Sequence, residues 1–157
     1  MIRNVIGVIV LALTVAGCSN AQEIPVDRIL SGTNGSLSPG LNVYRSKDEV
    51  RNSWVGKAVS SGERKSIYID FSRQSLLVIT AGARTNVATD LEVVRVRASR
   101  GGKPRLNVNA RIGVFNESCK SQSVSYPFAV IAVAKDAVLE VATGIDIQNY
   151  EVACNND

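Results

Sequence analysis

The chain offers few side chains able to carry a reaction. It contains no histidine, and a serine or cysteine nucleophile ordinarily needs an imidazole within hydrogen-bond reach. Most zinc sites need one as well. A Ser-Lys dyad is the formal exception, but the serines close to lysines, in ERKS and SCKSQS, fall in predicted turns with no supporting motif. The acids add little. Asp48 and Glu49 stand where a helix begins and complement the positive end of its dipole. Asp90 and Glu92 share one face of a strand by its period of two, without a third ligand or a glycine-bearing calcium loop. They read as a solvated face, so no enzyme, metal or cofactor is expected.

The concentrated feature is basic. Arg95, Arg97, Arg100, Lys103, Arg105 and Arg111 fall within seventeen residues, on the two arms of a predicted hairpin. Arg95 and Arg97 share one face of the first arm, and Arg105 and Arg111 share one face of the second. Strand pairing therefore gathers four guanidiniums on one wet surface. Arginine forks match phosphate and carboxylate oxygens, so such a surface suits an anionic glycan, a lipid or an acidic protein. The competing reading is a solvated strand whose charges discourage edge-to-edge aggregation.

The amino end gives an address. Arg3 precedes VIGVIVLALTVA, Val5 to Ala16, which carries no charge. Twelve residues are too few for a bilayer core, which takes roughly 20 helical residues, so residues 1–17 read as a signal peptide. The segment Val15, Ala16, Gly17, Cys18 resembles the lipobox of bacterial lipoproteins. That resemblance implies that Cys18 receives the lipid and becomes the first mature residue, and several acyl chains on one residue anchor firmly. Ser19 stands where an inner-membrane retention aspartate usually lies, so the resemblance implies the outer membrane, facing the periplasm or the cell surface.

Removing 17 of the 157 residues leaves 140, a typical length for one domain, and losing Arg3 lowers the net charge from +4 to +3. That excess is too small to imply nucleic acid. Hydrophobic residues at 45% describe a chain able to bury a core. With Cys18 assigned to lipid, Cys119 and Cys154 remain in an oxidising compartment and are expected to form a disulfide, against two separately buried thiols. Closing that loop stabilises by roughly 3 to 4 kcal/mol on the chain-entropy model.

The elements that position these residues are mostly strands. Residues 18–40, rich in Ser, Gly, Asn and Pro, read as a flexible tether, with IPVDRIL as a weak candidate for an extra strand. The domain is expected over residues 41–157. LNVYR alternates, then Ser46 followed by Glu49 forms a capping-box signature ahead of Val50, Trp54 and Ala58, one apolar stripe on a single short helix. SIYID and SLLVITAGA flank the turn FSRQ, and the second run is apolar enough for cover on both faces. LEVVRVRA and RLNVNARIGVF flank SRGGKP as a hairpin. In the latter, Leu106, Val108, Ala110, Ile112 and Val114 point one way and Arg105, Asn107, Asn109 and Arg111 the other. PFAVIAVAK, VLEVAT and GIDIQNYEVAC complete the set, with turns at Lys135-Asp136 and Thr143-Gly144. The expected class is mainly β: an antiparallel sheet curled into a barrel or sandwich, with one short N-terminal helix.

VYRSKDEVRNSW, then IDFSRQSLLVITAG, then SVSYPFAVIAVAK resemble the PrcB-like domain of bacterial protease-complex subunits. The matching positions are Asp70, Phe71, Ser72, Gly82, Pro127 and Phe128. The family often follows its apolar strand with a glycine-rich segment ending Gly-Gly-Tyr, whereas this chain has Ala83 to Val93 without glycine or tyrosine. The resemblance implies a non-catalytic lipoprotein that binds and stabilises a secreted, subtilisin-like protease or another envelope protein. The alternative is binding of an anionic envelope glycan or lipid by the arginine hairpin. For Asp70 and Phe71 the residues alone suffice: the carboxylate accepts from turn N–H groups while the ring tucks beneath the sheet.

Overall fold

The computed structural model describes residues 21–60, 69–99, 105–116, 119, 123–138 and 142–154. Its middle layer is made by the two most continuously apolar runs. Gln74–Thr80 (β4) is buried from Ser75 onward and Phe128–Ala134 (β9) from Phe128 to Val133. Each side chain must find cover on whichever face it points to. Leu77, Ile79, Ala129, Ile131 and Val133 point into one apolar cluster, while Leu76, Val78, Phe128, Val130 and Ala132 point into another on the opposite face. Burying one such Leu, Ile or Val contributes about 1.5–3 kcal/mol. The expectation of a strand covered on both faces holds for β4.

β4 and β9 pair antiparallel, flanked by Asp27–Gly32 (β2) against β9 and Gly40–Tyr44 (β3) against β4. This gives a sheet of order β2-β9-β4-β3. The second sheet comprises Ala21–Glu23 (β1), Glu92–Ser99 (β6), Arg105–Phe115 (β7) and Ala142–Val152 (β10), in the order β1-β6-β7-β10. The predicted hairpin is present as β6 and β7, and Leu106, Val108, Ala110 and Ile112 face the first sheet while Arg105, Asn107 and Arg111 are exposed. The two sheets remain separate and pack face to face as a sandwich, so the barrel alternative falls. A two-stranded ribbon of Arg84–Thr85 (β5) and Val124–Ser125 (β8) closes one end.

Three expectations are corrected. Residues 21–40 are not a tether: β1 pairs with β6 and β2 with β9, so this stretch changes sheets between Glu23 and Asp27, with Ile24 buried at the crossing. Short strands without sustained period are held here by partners far away in sequence. The Thr143-Gly144 turn is absent, because β10 runs unbroken beside β7. That pairing is parallel over eleven residues, so the second sheet is mixed. A 3-10 turn at Lys135–Val138 follows β9. The strand expected over Ser66–Asp70 lies mostly outside the described residues, and Ile69 and Asp70 are not in a strand.

The single helix is two, Lys47–Arg51 (α1) and Trp54–Ser60 (α2). Ser46 caps α1, its hydroxyl accepting from Glu49 N at 3.2 Å, while the Glu49 carboxylate accepts from Arg45 N. Ser53 then starts a second helix: its Oγ donates to Val50 O at 2.7 Å and accepts from Gly56 N at 3.4 Å. The break lets α2 fold close over α1. A Cβ on Gly56 would collide with Val50 O and come within 3.0 Å of Arg51 Cα. Val50, Trp54 and Val55 then cover the outer face of β4 and β9, making the helices a third layer. The side chain of Ala58, the third member of the expected stripe, lies outside the described residues.

Candidate functional site

The four candidate arginines do share one wet face. Arg95 lies opposite Asn109, Arg97 opposite Asn107, Ser99 opposite Arg105 and Glu92 opposite Arg111. They do not form a free cationic patch, because two are neutralised. Arg95 Nε lies 3.4 Å from Glu23 Oε2, and Arg111 Nε donates to Glu92 Oε2 at 2.7 Å. The Arg111 guanidinium also sits 5.5 Å from the Tyr150 ring centroid. Arg97 and Arg105 are exposed and have no ion pair among the described residues.

Glu92 reaches that face through a β-bulge. The β6–β7 register shifts between Val93 and Arg95, leaving Val94 51% exposed. Glu92 and Arg95, an odd number of residues apart, thereby point the same way. Sequence periodicity missed this, since a regular strand would put Glu92 on the face of the buried Val96. Arg28 of the edge strand β2 reaches Glu92 from the first sheet, its Nη2 donating to Glu92 Oε1 at 3.1 Å and to Val93 O at 3.0 Å. Hydrogen bonds from Arg111 and then Arg28 hold the Glu92 carboxyl below its ordinary value. Asp90 Oδ2 accepts from Ser31 Oγ at 2.8 Å. The two acids expected on a solvated face therefore link the sheets across a cleft of about 270 Å³ whose floor includes Leu91 and Ile131.

The six positions matched to the PrcB-like pattern fall into two groups at opposite ends of β4. Before it, Asp70 Oδ1 accepts from Ser72 N at 3.0 Å and from Ser72 Oγ at 2.6 Å. These bonds, with Arg73 nearby, hold the Asp70 carboxyl below its ordinary value. Phe71 packs under the sheet, and its carbonyl accepts from Lys135 Nζ at 3.0 Å. After β4, Gly82 adopts φ +70°, where its Cβ would lie 2.9 Å from Pro39 Cδ. Pro127 O accepts from Ala81 N at 2.9 Å, and Phe128 is buried with its ring edge-on to Trp54. Each of the six has a structural role, and the fold does not gather them into one site.

The end of the sandwich that holds Gly82 also carries an open crevice of about 480 Å³, lined by Arg84, Asn86, Phe115, Val124 and Asn149 among others. Asn86 lies at φ +56°, a left-handed position asparagine tolerates, with its carbonyl accepting from Phe115 N at 2.7 Å. Val124 is 54% exposed. The Leu37 carbonyl lies against Gly82, one residue before the lining, and the Leu37 side chain is 72% exposed. Tyr150, 40% exposed, follows Asn149, its hydroxyl 3.3 Å from Thr89 Oγ1. Sequence reading missed this crevice, because its residues come from four separate segments. The expected disulfide is present: Cys119 and Cys154 are joined, with Cα atoms 5.9 Å apart, tying the end of β10 to the segment after β7. Cys18 and the leader lie outside the described residues. Set against family models, curated proteins and solved structures, the chain matches none.

Proposed function

We propose that the chain is a non-catalytic outer-membrane lipoprotein, held by an acylated Cys18, that binds an envelope protein at the crevice end of the sandwich. The PrcB-like resemblance makes a secreted protease the favoured partner class. One observation carries the location of the binding surface. Among the described residues, Val124, one of the four most exposed large apolar side chains, lines the crevice, and Leu37, another of them, belongs to a segment beside it. A lining that puts exposed Val124 with Phe115 and Arg84 has the make-up of a protein interface. The test is cross-linked capture of envelope proteins by the mature chain at physiological salt. Val124→Asp is expected to remove the enriched protein, while Val94→Asp, on the outer β6 bulge, retains it. Capture unaffected by Val124→Asp would overturn the site, and no enriched protein would overturn the function.

A second reading, binding of an anionic envelope glycan or lipid, is favoured by Arg97 and Arg105, which have no ion pair among the described residues. Arg95 and Arg111 contribute less to it, because Glu23 and Glu92 already hold their charges.

A further inference from the structure

The register of β1 places Ala21, three residues after Cys18, at the same end of one sheet as two arginines that have no ion pair among the described residues. Only Ser19 and Asn20 separate Cys18 from Ala21, the first residue of β1. At 3.3–3.6 Å per residue, the Cys18 Cα lies at most about 11 Å from that of Ala21. Ala21 pairs with Ser99, Ser99 with Arg105, and Arg105 with Ala142, so these four residues form one end of the four-stranded sheet. Adjacent strands lie about 4.8 Å apart, which puts Arg105 roughly 10 Å from Ala21. Arg97 is two residues along β6 from Ser99, on the same wet face, and lies opposite Glu23, whose carboxylate pairs with Arg95 instead.

The charge varies along that face. Arg97 and Arg105, exposed and with no ion pair among the described residues, are at the Ala21 end, while the Arg111–Glu92–Arg28 network lies toward the other. Since the Debye length is about 8 Å at physiological salt, only cations close to the bilayer feel its phosphates. The planar, always-charged guanidinium fits phosphate oxygens.

We propose that the Ala21–Ser99–Arg105 end of the sheet lies on the bilayer, with Arg97 and Arg105 bound to phosphates of anionic phospholipids. The proposal rests on the reading of Cys18 as acylated and adds a second, electrostatic contact that orients the domain. β7, eleven residues long, extends roughly 35 Å. Its far end carries Phe115 and the crevice, which this orientation holds away from the lipid.

The test separates the two claims. Mass spectrometry of native material for acyl chains on Cys18 reports on the anchor alone. For the contact surface, the mature chain with Cys18→Ser is sedimented with vesicles of phosphatidylcholine containing about 30 mol % phosphatidylglycerol at low salt, where each surface cation contributes about 1 kcal/mol. Arg97→Gln and Arg105→Gln are each expected to weaken binding about fivefold, which is that contribution expressed as an affinity ratio. Lys57→Gln, exposed on α2, leaves it unchanged, and binding is lost on pure phosphatidylcholine. Equal binding by parent and Arg97→Gln/Arg105→Gln, equal binding to both vesicle types, or no binding by the parent each overturns the contact. An unmodified Cys18 overturns the anchor without touching the vesicle result.

Discussion

Trp54 meets Phe128 edge-on, with ring centroids 5.1 Å apart and planes at 90°. The pair joins the helical layer to the middle sheet at the end of β9 where the ribbon and crevice begin. Trp54→Ala is expected to lower unfolding free energy by about 3–4 kcal/mol through lost burial and the cavity left behind. A double-mutant cycle with Phe128→Leu should return a coupling of about 1 kcal/mol, the aromatic contribution beyond area. Additive losses in urea denaturation would show that the rings pack independently.

Gly56→Ala sets two effects of opposite sign against each other. In a helix interior alanine is favoured over glycine by about 1 kcal/mol. Here the added Cβ meets the Val50 carbonyl and the Arg51 Cα, backbone atoms that cannot rotate away. The clash wins, and chemical denaturation should show a net loss of about 1–3 kcal/mol.

Glu92 makes stability depend on acid. Its folded-state pKa is depressed below the ordinary 4.5 by hydrogen bonds from Arg111 and Arg28. The contribution is therefore fully present above that value and is lost as pH falls through the lower folded one. Asp70 acts in the same direction from its ordinary 3.8. Glu92→Gln should cost about 0.5–1 kcal/mol at pH 7, because the network is partly solvated. Thermal melts from pH 6 to pH 3 should fall less steeply for this variant than for the parent, and parallel curves would contradict the linkage.

Reducing the Cys119–Cys154 bond frees the end of β10 from the segment after β7. Loss of the cross-link is expected to cost about 3–4 kcal/mol. Reductant should lower the melting temperature of the parent and leave a Cys119→Ser/Cys154→Ser variant unchanged.

Much of the layering was legible in the residues. A strand buried on both faces must read as a continuous apolar run, as β4 and β9 do, whereas an outer strand must alternate, as β7 does from Arg105 to Ile112. The Ser46–Glu49 cap and the Asp70–Ser72 turn were legible because both are closed by side chains within three residues of each other. Ser53 as a second helix start was present in the sequence but hidden inside an unbroken apolar stripe.

The candidate site was less legible, for reasons of distance along the chain. The sequence alone determined that four arginines would share a wet face, because that follows from a period of two and one hairpin. Which of them keep their charge free was decided by Glu23, by Arg28, and by the bulge that swings Glu92 outward, all of which depend on sheet pairing. The tertiary structure likewise made strands of Ala21–Glu23 and Asp27–Gly32, drew β10 unbroken past Thr143 and Gly144, and collected the crevice from four segments. Local pattern records only what a residue must bury or expose, while edge strands, register shifts and ion pairs take their energy from partners tens of residues away.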